Sequence, residues 1–229
     1  MATSGTYAFA PSAADLVINA FGRIRVRRPE LTTGHMNDAR MELNLLLQEW
    51  GVQGVNLWKV DLVEETLVAG QITYDCDPTT LCMLDTYIST GTGTDTNDRI
   101  ITPVSRTDYA GFPNKQNTGV PTVYWFDRQI TPVIYLWQPP DDAQTYTLKY
   151  YRMRQIMDVD VAGGQTAEIP IRFLEAFVTG LAYRLARIYA QDLEQLRGAD
   201  YEKAWGLASR DDIEDVAISV LPQLGAYYR

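Results

Sequence analysis

Of histidine the chain has one, His35, and of cysteine two, Cys76 and Cys82. A structural zinc site takes four Cys or His ligands, more than these residues supply. The two cysteines lie six positions apart with no CxxC spacing and no His beside them, so they read as small buried hydrophobes. No GxGxxG or GxxxxGK[ST] pattern occurs, and Gly91 and Gly93 lack the strand-to-helix setting that phosphate binding needs. No apolar run reaches the roughly 18 residues of a membrane helix. The opening MATSGTYAFAPSAADL has neither a basic leader nor a long apolar core. The expectation is a soluble protein of a reducing compartment, with no cofactor, no metal and no membrane partner.

Base is also scarce. Twenty Lys and Arg face 29 Asp and Glu, for a net charge of −9 and a pI near 4.6. This argues against a surface built to grip nucleic acid, which needs clustered cations. It does not exclude a protein that lets nucleic acid pass without holding it. The one basic cluster is Arg23, Arg25, Arg27 and Arg28. These cations suit the negative pole at the end of a helix. In an acidic chain they are also candidates for contact with an acidic patch of a neighbouring copy.

Catalytic groups are hard to assemble from what remains. His35 sits beside Gly34 and Asn37 just before a helix and reads as a turn or cap residue. Paired carboxylates occur at Asp75 and Asp77, Asp141-Asp142, Asp158 and Asp160, and Asp211-Asp212 with Glu214 and Asp215. Asp141-Asp142 reads as part of a turn, and the last group as the exposed side of a helix. The loop GTGTDTNDR is like a calcium loop in composition but not in order. Glycosidase carboxylates have no fixed sequence spacing. A carbohydrate-active enzyme or binding module therefore remains an alternative, to be told by a concave pocket with convergent acids.

What the chain does have is clear periodicity. Pro11-Ser12-Ala13-Ala14-Asp15 starts a helix whose apolar face is Leu16, Val17, Ala20, Phe21 and Ile24, closed by Pro29. A second helix follows, with Met36, Ala39, Leu43, Leu46, Leu47 and Trp50 in a stripe and Gly51 and Gly54 at its end. From Trp58 the period shortens. Strands are expected at Leu57–Glu64, Met83–Ser89, Arg99–Val104, Val123–Phe126, Val133–Leu136 and Tyr146–Tyr151, with a polar loop at Gly91–Asp98. Tyr124 and Phe126 are expected on one face of their strand and Trp125 on the other, against a surface within the subunit or across a subunit boundary. Near Glu168 the helical period returns. EIPIRFLEAFVTGLAYRLARIYAQDLEQL predicts one long helix, and another is expected from about Ala199 to Ala217 with Tyr201, Ala204, Trp205, Ala208, Ile213, Val216 and Ala217 on its buried side.

The fold class is therefore α+β: a four-helix bundle from N- and C-terminal hairpins, with an inserted β-rich domain like a sandwich or barrel. The expected division is 1–57 and 158–220 for the halves of the bundle, 58–157 for the insertion, and 221–229 for a tail.

The stretch SRTDYAGFPNKQNTGVPTVYWFDRQITPVIYLWQPPDD, from Ser105 to Asp142, is similar to the central block of the adaptor, or head-to-tail connector, proteins of short-tailed bacteriophages. The matching elements are Asp108-Tyr109, Lys115, Gly119, Pro121, Tyr124, Asp127-Arg128, Pro132, Leu136 and Pro139-Pro140-Asp141. Gln71-Ile72-Thr73-Tyr74 resembles the strand that opens the block, IPIRFLEAFVTGLAYRLARIYAQD a family helix, and LGAYYR the family's aromatic, basic end. Trp137-Gln138 departs from the pattern. The resemblance implies a structural protein of the virion, made in the host cytoplasm, and no enzyme. It implies a ring of identical subunits, twelve in number, between the portal protein and the tail nozzle or tail fibre proteins, extending the channel for double-stranded DNA. It also implies a portal-docking tail, with Leu221, Leu224, Tyr227, Tyr228 and Arg229 as its candidate anchors. Arg23, Arg25, Arg27, Arg28 and Trp125 are the candidates for contacts between subunits. A phage neck or tail-completion protein of other symmetry is the nearest alternative.

Overall fold

The computed structural model describes residues 5–6, 9–54, 57–92, 95–162 and 164–213. Its elements, in chain order, begin with helices α1 (Ala13–Arg23) and α2 (Thr33–Val52). Strands β1 (Val60–Thr66), β2 (Thr73–Asp75), β3 (Thr80–Thr92), β4 (Asp95–Ile100) and β5 (Thr102–Pro103) follow. A short helix α3 (Arg106–Gly111) precedes β6 (Val123–Asp127), β7 (Val133–Trp137) and β8 (Tyr146–Arg154). Helices α4 (Leu174–Tyr189) and α5 (Glu194–Arg210) complete the described chain.

Both N-terminal helices are started by reciprocal caps. The Asp15 amide donates to Ser12 Oγ at 3.2 Å while the Ser12 amide donates to the Asp15 carboxylate at 3.3 Å. In α2 the lone histidine takes the place of the usual acid. The Thr32 amide donates to His35 Nδ1 at 3.0 Å, and the His35 amide to Thr32 Oγ1 at 3.4 Å. The reading of His35 as a cap residue matches this geometry. Pro29, in contrast, does not close α1. The helix ends at Arg23, Arg25 turns the chain at φ 66°, and Pro29 sits inside a separate short turn, Arg28–Glu30. A proline is well placed there because its missing N–H lies in a first turn.

The expected long C-terminal helix is two pieces. Ala190 leaves the helical conformation at φ −151°, ψ 65°, and a tight turn Gln191–Leu193 buries Leu193 before α5 begins. No glycine or proline marks the break; burial of Leu193 makes it. The DLEQL segment therefore belongs to the turn and to α5, which starts five residues before the expected Ala199. Ala208 is buried and Tyr201, Ala204 and Trp205 pack against the core, but Ile213 is 69% exposed, against expectation. Val216 and Ala217 lie outside the described residues.

Helix α4 is the centre of the helical body, lying against α1, α2 and α5. Phe177 and Leu181 share one buried cluster with Leu43, Leu46 and Trp50. Gly180 permits the close approach: a Cβ there would lie 2.9 Å from the Tyr201 ring and 3.0 Å from Leu46. Trp50 Nε1 donates to Tyr201 Oη at 2.9 Å, so a buried aromatic ties α2 to α5.

The β-rich part is a sandwich of two four-stranded sheets, ordered β1-β8-β3-β4 and β2-β7-β6-β5. All pairs are antiparallel except β5 with β6. Ile88 and Leu148 of one sheet and Tyr124, Ile134 and Leu136 of the other form a second, separate core. The expected strand Arg99–Val104 splits at the buried Ile101, whose amide donates to Thr86 at 3.0 Å. There the chain passes from one sheet to the other. The expected polar loop Gly91–Asp98 is instead largely strand, the arm of a β3–β4 hairpin, with Gly91 paired to Thr96 and Ser89 to Asp98. Backbone pairing carries this arm, with one side-chain bond from Thr90 Oγ1 to the Asn97 carbonyl at 3.1 Å, so hydrophobic alternation gave no sign of it.

Candidate interaction surfaces

The four arginines separate into two kinds. Arg23, still in α1, is locked within its own chain. It makes two parallel hydrogen bonds to Glu175 at 2.7 and 2.8 Å and a third to Asn19 at 3.1 Å. The pairing raises the Arg23 pKa and holds the Glu175 carboxyl below its ordinary value. For a pair this open to water the gain is about 1 kcal/mol. Arg25 reaches Asp192 at 3.3 Å, but the two side chains are 74% and 66% exposed, so this pair adds little. Arg27 and Arg28 are exposed on the same turn. Arg25 holds a left-handed conformation that costs an arginine energy and that glycine or asparagine adopts more readily.

Trp125 lies on the opposite side of β6 from Tyr124, which is buried, and Phe126, which packs on the sandwich core. Its ring stacks on Tyr135 at 4.6 Å and lies 5.7 Å from Tyr109. Phe112 stacks on Trp137 at 4.5 Å. Helix α3 forms the roof of this aromatic layer. Ser105 caps it, accepting from the Asp108 amide at 3.1 Å, and Tyr109 is buried beneath it. Lys115 closes the far end, donating to the carbonyls of Ala110 and Phe112 at 3.1 and 3.0 Å. Trp125 is thus half-buried within its own subunit. Sequence reasoning missed α3, although Ser105-x-x-Asp108 is a capping signal; six residues are too few to show a hydrophobic stripe.

Several of the carboxylates have structural partners. Asp77 accepts from the Thr79 amide at 2.8 Å, and Asp141 from the Ala143 amide at 3.1 Å and Tyr146 Oη at 2.9 Å. Asp61 takes Arg152 at 2.9 Å, and Glu168 pairs with Arg154. Hydrogen bonding to Arg154 keeps the Glu168 carboxyl below its ordinary range. The expectation of an exposed acidic group at Asp211-Asp212 fails for Asp212. It is buried, paired with Arg172, and accepts the Leu57 amide at 3.2 Å. The Cys76 thiol is buried and its pKa is pushed up to about 11, the reverse of what a nucleophile needs. Among the described residues no group of three or more His, Cys, Asp or Glu is placed to hold a metal. The tail candidates Leu221, Leu224, Tyr227, Tyr228 and Arg229 lie outside the described residues.

Helices stand before and after a β-sandwich, and several acids serve caps and ion pairs. A family model described as SU10 adaptor protein matches residues 11–220. The chain belongs to the SU10 adaptor protein family. This is a family of phage head-to-tail adaptors, structural and non-catalytic, and head-to-tail connection is the function of the chain at that level. The match spans both helical segments and the sandwich and includes the Ser105–Asp142 block that resembles the adaptors of short-tailed phages. No curated protein matches the chain.

Proposed function

We propose that this SU10-family adaptor works in the virion as a ring, of twelve subunits, between the portal protein and the tail. The ring extends the channel for double-stranded DNA and gives tail nozzle or tail fibre proteins their docking surface. The observation that carries the reading is the adaptor-family match over residues 11–220. The charge supports it: the net charge is −9, and residues 60–98 contain no lysine or arginine. A wall of that sign repels phosphate and lets DNA slide. In this reading, residues 1–57 and 158–220 form the helical body, 58–157 the tail-facing domain, and 221–229 the portal-docking segment.

Exposed Arg25, Arg27 and Arg28 are the subunit-contact candidates that keep their charge at the surface. Arg23 serves its own chain first, and Trp125 offers only the part of its ring that Tyr135 and Tyr109 leave uncovered. Leu221, Leu224, Tyr227, Tyr228 and Arg229 are proposed to anchor on the portal, since Tyr and Arg dominate interface energetics. Removing residues 221–229 and measuring co-sedimentation with portal rings tests the docking. The shortened chain is expected to stay folded and to lose the portal; retention at full affinity would contradict it.

A further inference from the structure

At the joint between the helical body and the sandwich the carboxylates are already committed to other partners. A short turn, Leu57–Lys59, leads into β1. Asp61 holds Arg152 and Arg154. Glu168 binds Arg154 and accepts the Met157 amide at 3.2 Å. Asp212 binds Arg172 and accepts the Leu57 amide at 3.2 Å.

Lys59 is left over. Its side chain is 0% exposed, and Nζ has no hydrogen-bond partner among the described residues. Trp58 Nε1, its neighbour in the turn, is buried and unpartnered as well. The ammonium lies against the last turn of α2, since a Cβ built on Gly51 would be 3.9 Å from Nζ and 3.5 Å from the Leu81 side chain. The carbonyl pole of α2 offers partial compensation. Burial opposes the charge, and Arg154 adds repulsion, so the Lys59 pKa is lowered. An apolar side chain of similar length would fill the same space without that cost. Glu168 and Asp212 both attract the Lys59 charge at a distance. Either could exchange its arginine for Lys59 if the joint moved.

We propose that Lys59 is a built-in release point. Its unpaired ammonium keeps the contact between helical body and sandwich among the least stable in the molecule. The sandwich can then re-seat, with Glu168 or Asp212 turning to Lys59, when the adaptor is built into a larger assembly. The device is a two-state joint of the kind that packed interfaces support.

The test is Lys59→Met in the full chain, compared with Gly206→Ala, a substitution in α5 whose new Cβ meets nothing within 4 Å. Lys59→Met is expected to raise Tm by roughly 5 °C. Amide exchange over residues 57–63 and 166–173 should slow about tenfold, and by more than Gly206→Ala slows it. A lower Tm would overturn the proposal, because it would show the ammonium to be stabilising. A higher Tm with exchange at the joint no slower than in Gly206→Ala would overturn it too, because the gain would not be local.

Discussion

Gly180→Ala isolates the contact on which the helical body depends. In the interior of α4 the substitution should gain about 1 kcal/mol from helix propensity alone. The new methyl, however, would lie 2.9 Å from the Tyr201 ring and 3.0 Å from Leu46 Cδ2. Neither neighbour yields easily. Leu46 is fully buried, and Tyr201 is held by the hydrogen bond from Trp50. Overpacking of this kind costs about 1–3 kcal/mol, so the net effect is a loss of about 1 kcal/mol. For a chain of this size that is a fall in Tm of about 3 °C. Gly206→Ala makes the same chemical change where the methyl has open space, and should raise Tm by about the same amount. Differential scanning calorimetry on the two variants therefore reads a difference in sign. If Gly180→Ala stabilised as much as Gly206→Ala, α4 would not sit against α2 and α5 as described.

Three further outcomes follow from the ion pairs and the thiols. The Glu168 carboxyl is lowered by Arg154, so its stabilisation is complete above the ordinary carboxylate pKa of 4.5 and disappears as pH falls through the lowered value. Wild type should exceed Glu168→Gln in Tm at pH 7, and the gap should narrow as pH falls below 4.5; a gap that does not change as the solution is acidified would contradict the pairing. Asp212→Asn should cost about 2 kcal/mol in denaturant unfolding, because the buried carboxylate loses its charge-assisted bond to Arg172. No change would mean that Asp212 is solvated. Cys76 should resist a thiol reagent at pH 8 while half-buried Cys82 is modified first, read by mass spectrometry; the reverse order would contradict the burial.

The helical face of α1, the stripe of α2 and the two-sided β6 strand were legible because each carries a strong period of its own. Tyr124 and Phe126 alternate with Trp125 whatever the surroundings. Two kinds of feature were not legible. The first is the break at Ala190, where burial of a single leucine overrides helical preference without any local marker. The β3–β4 arm is equally unmarked, since its Gly, Thr and Asp residues pair mainly through the backbone. The second is the allocation of charges. Arg23 is indistinguishable in sequence from Arg25, Arg27 and Arg28, but Glu175, 152 residues away, claims it, while Asp192, 167 residues from Arg25, makes only an exposed contact. Asp212 is hidden in the same way, since its partners Arg172 and Leu57 are 40 and 155 residues distant.

Assembly as a ring on the portal is read from two-dimensional class averages of the purified protein mixed with portal rings. The expected particles are portals carrying a second ring of this protein in register, with twelve-fold symmetry and an open axial channel. Portal rings left bare beside monomeric adaptor, or a bound layer of different rotational symmetry, would contradict it.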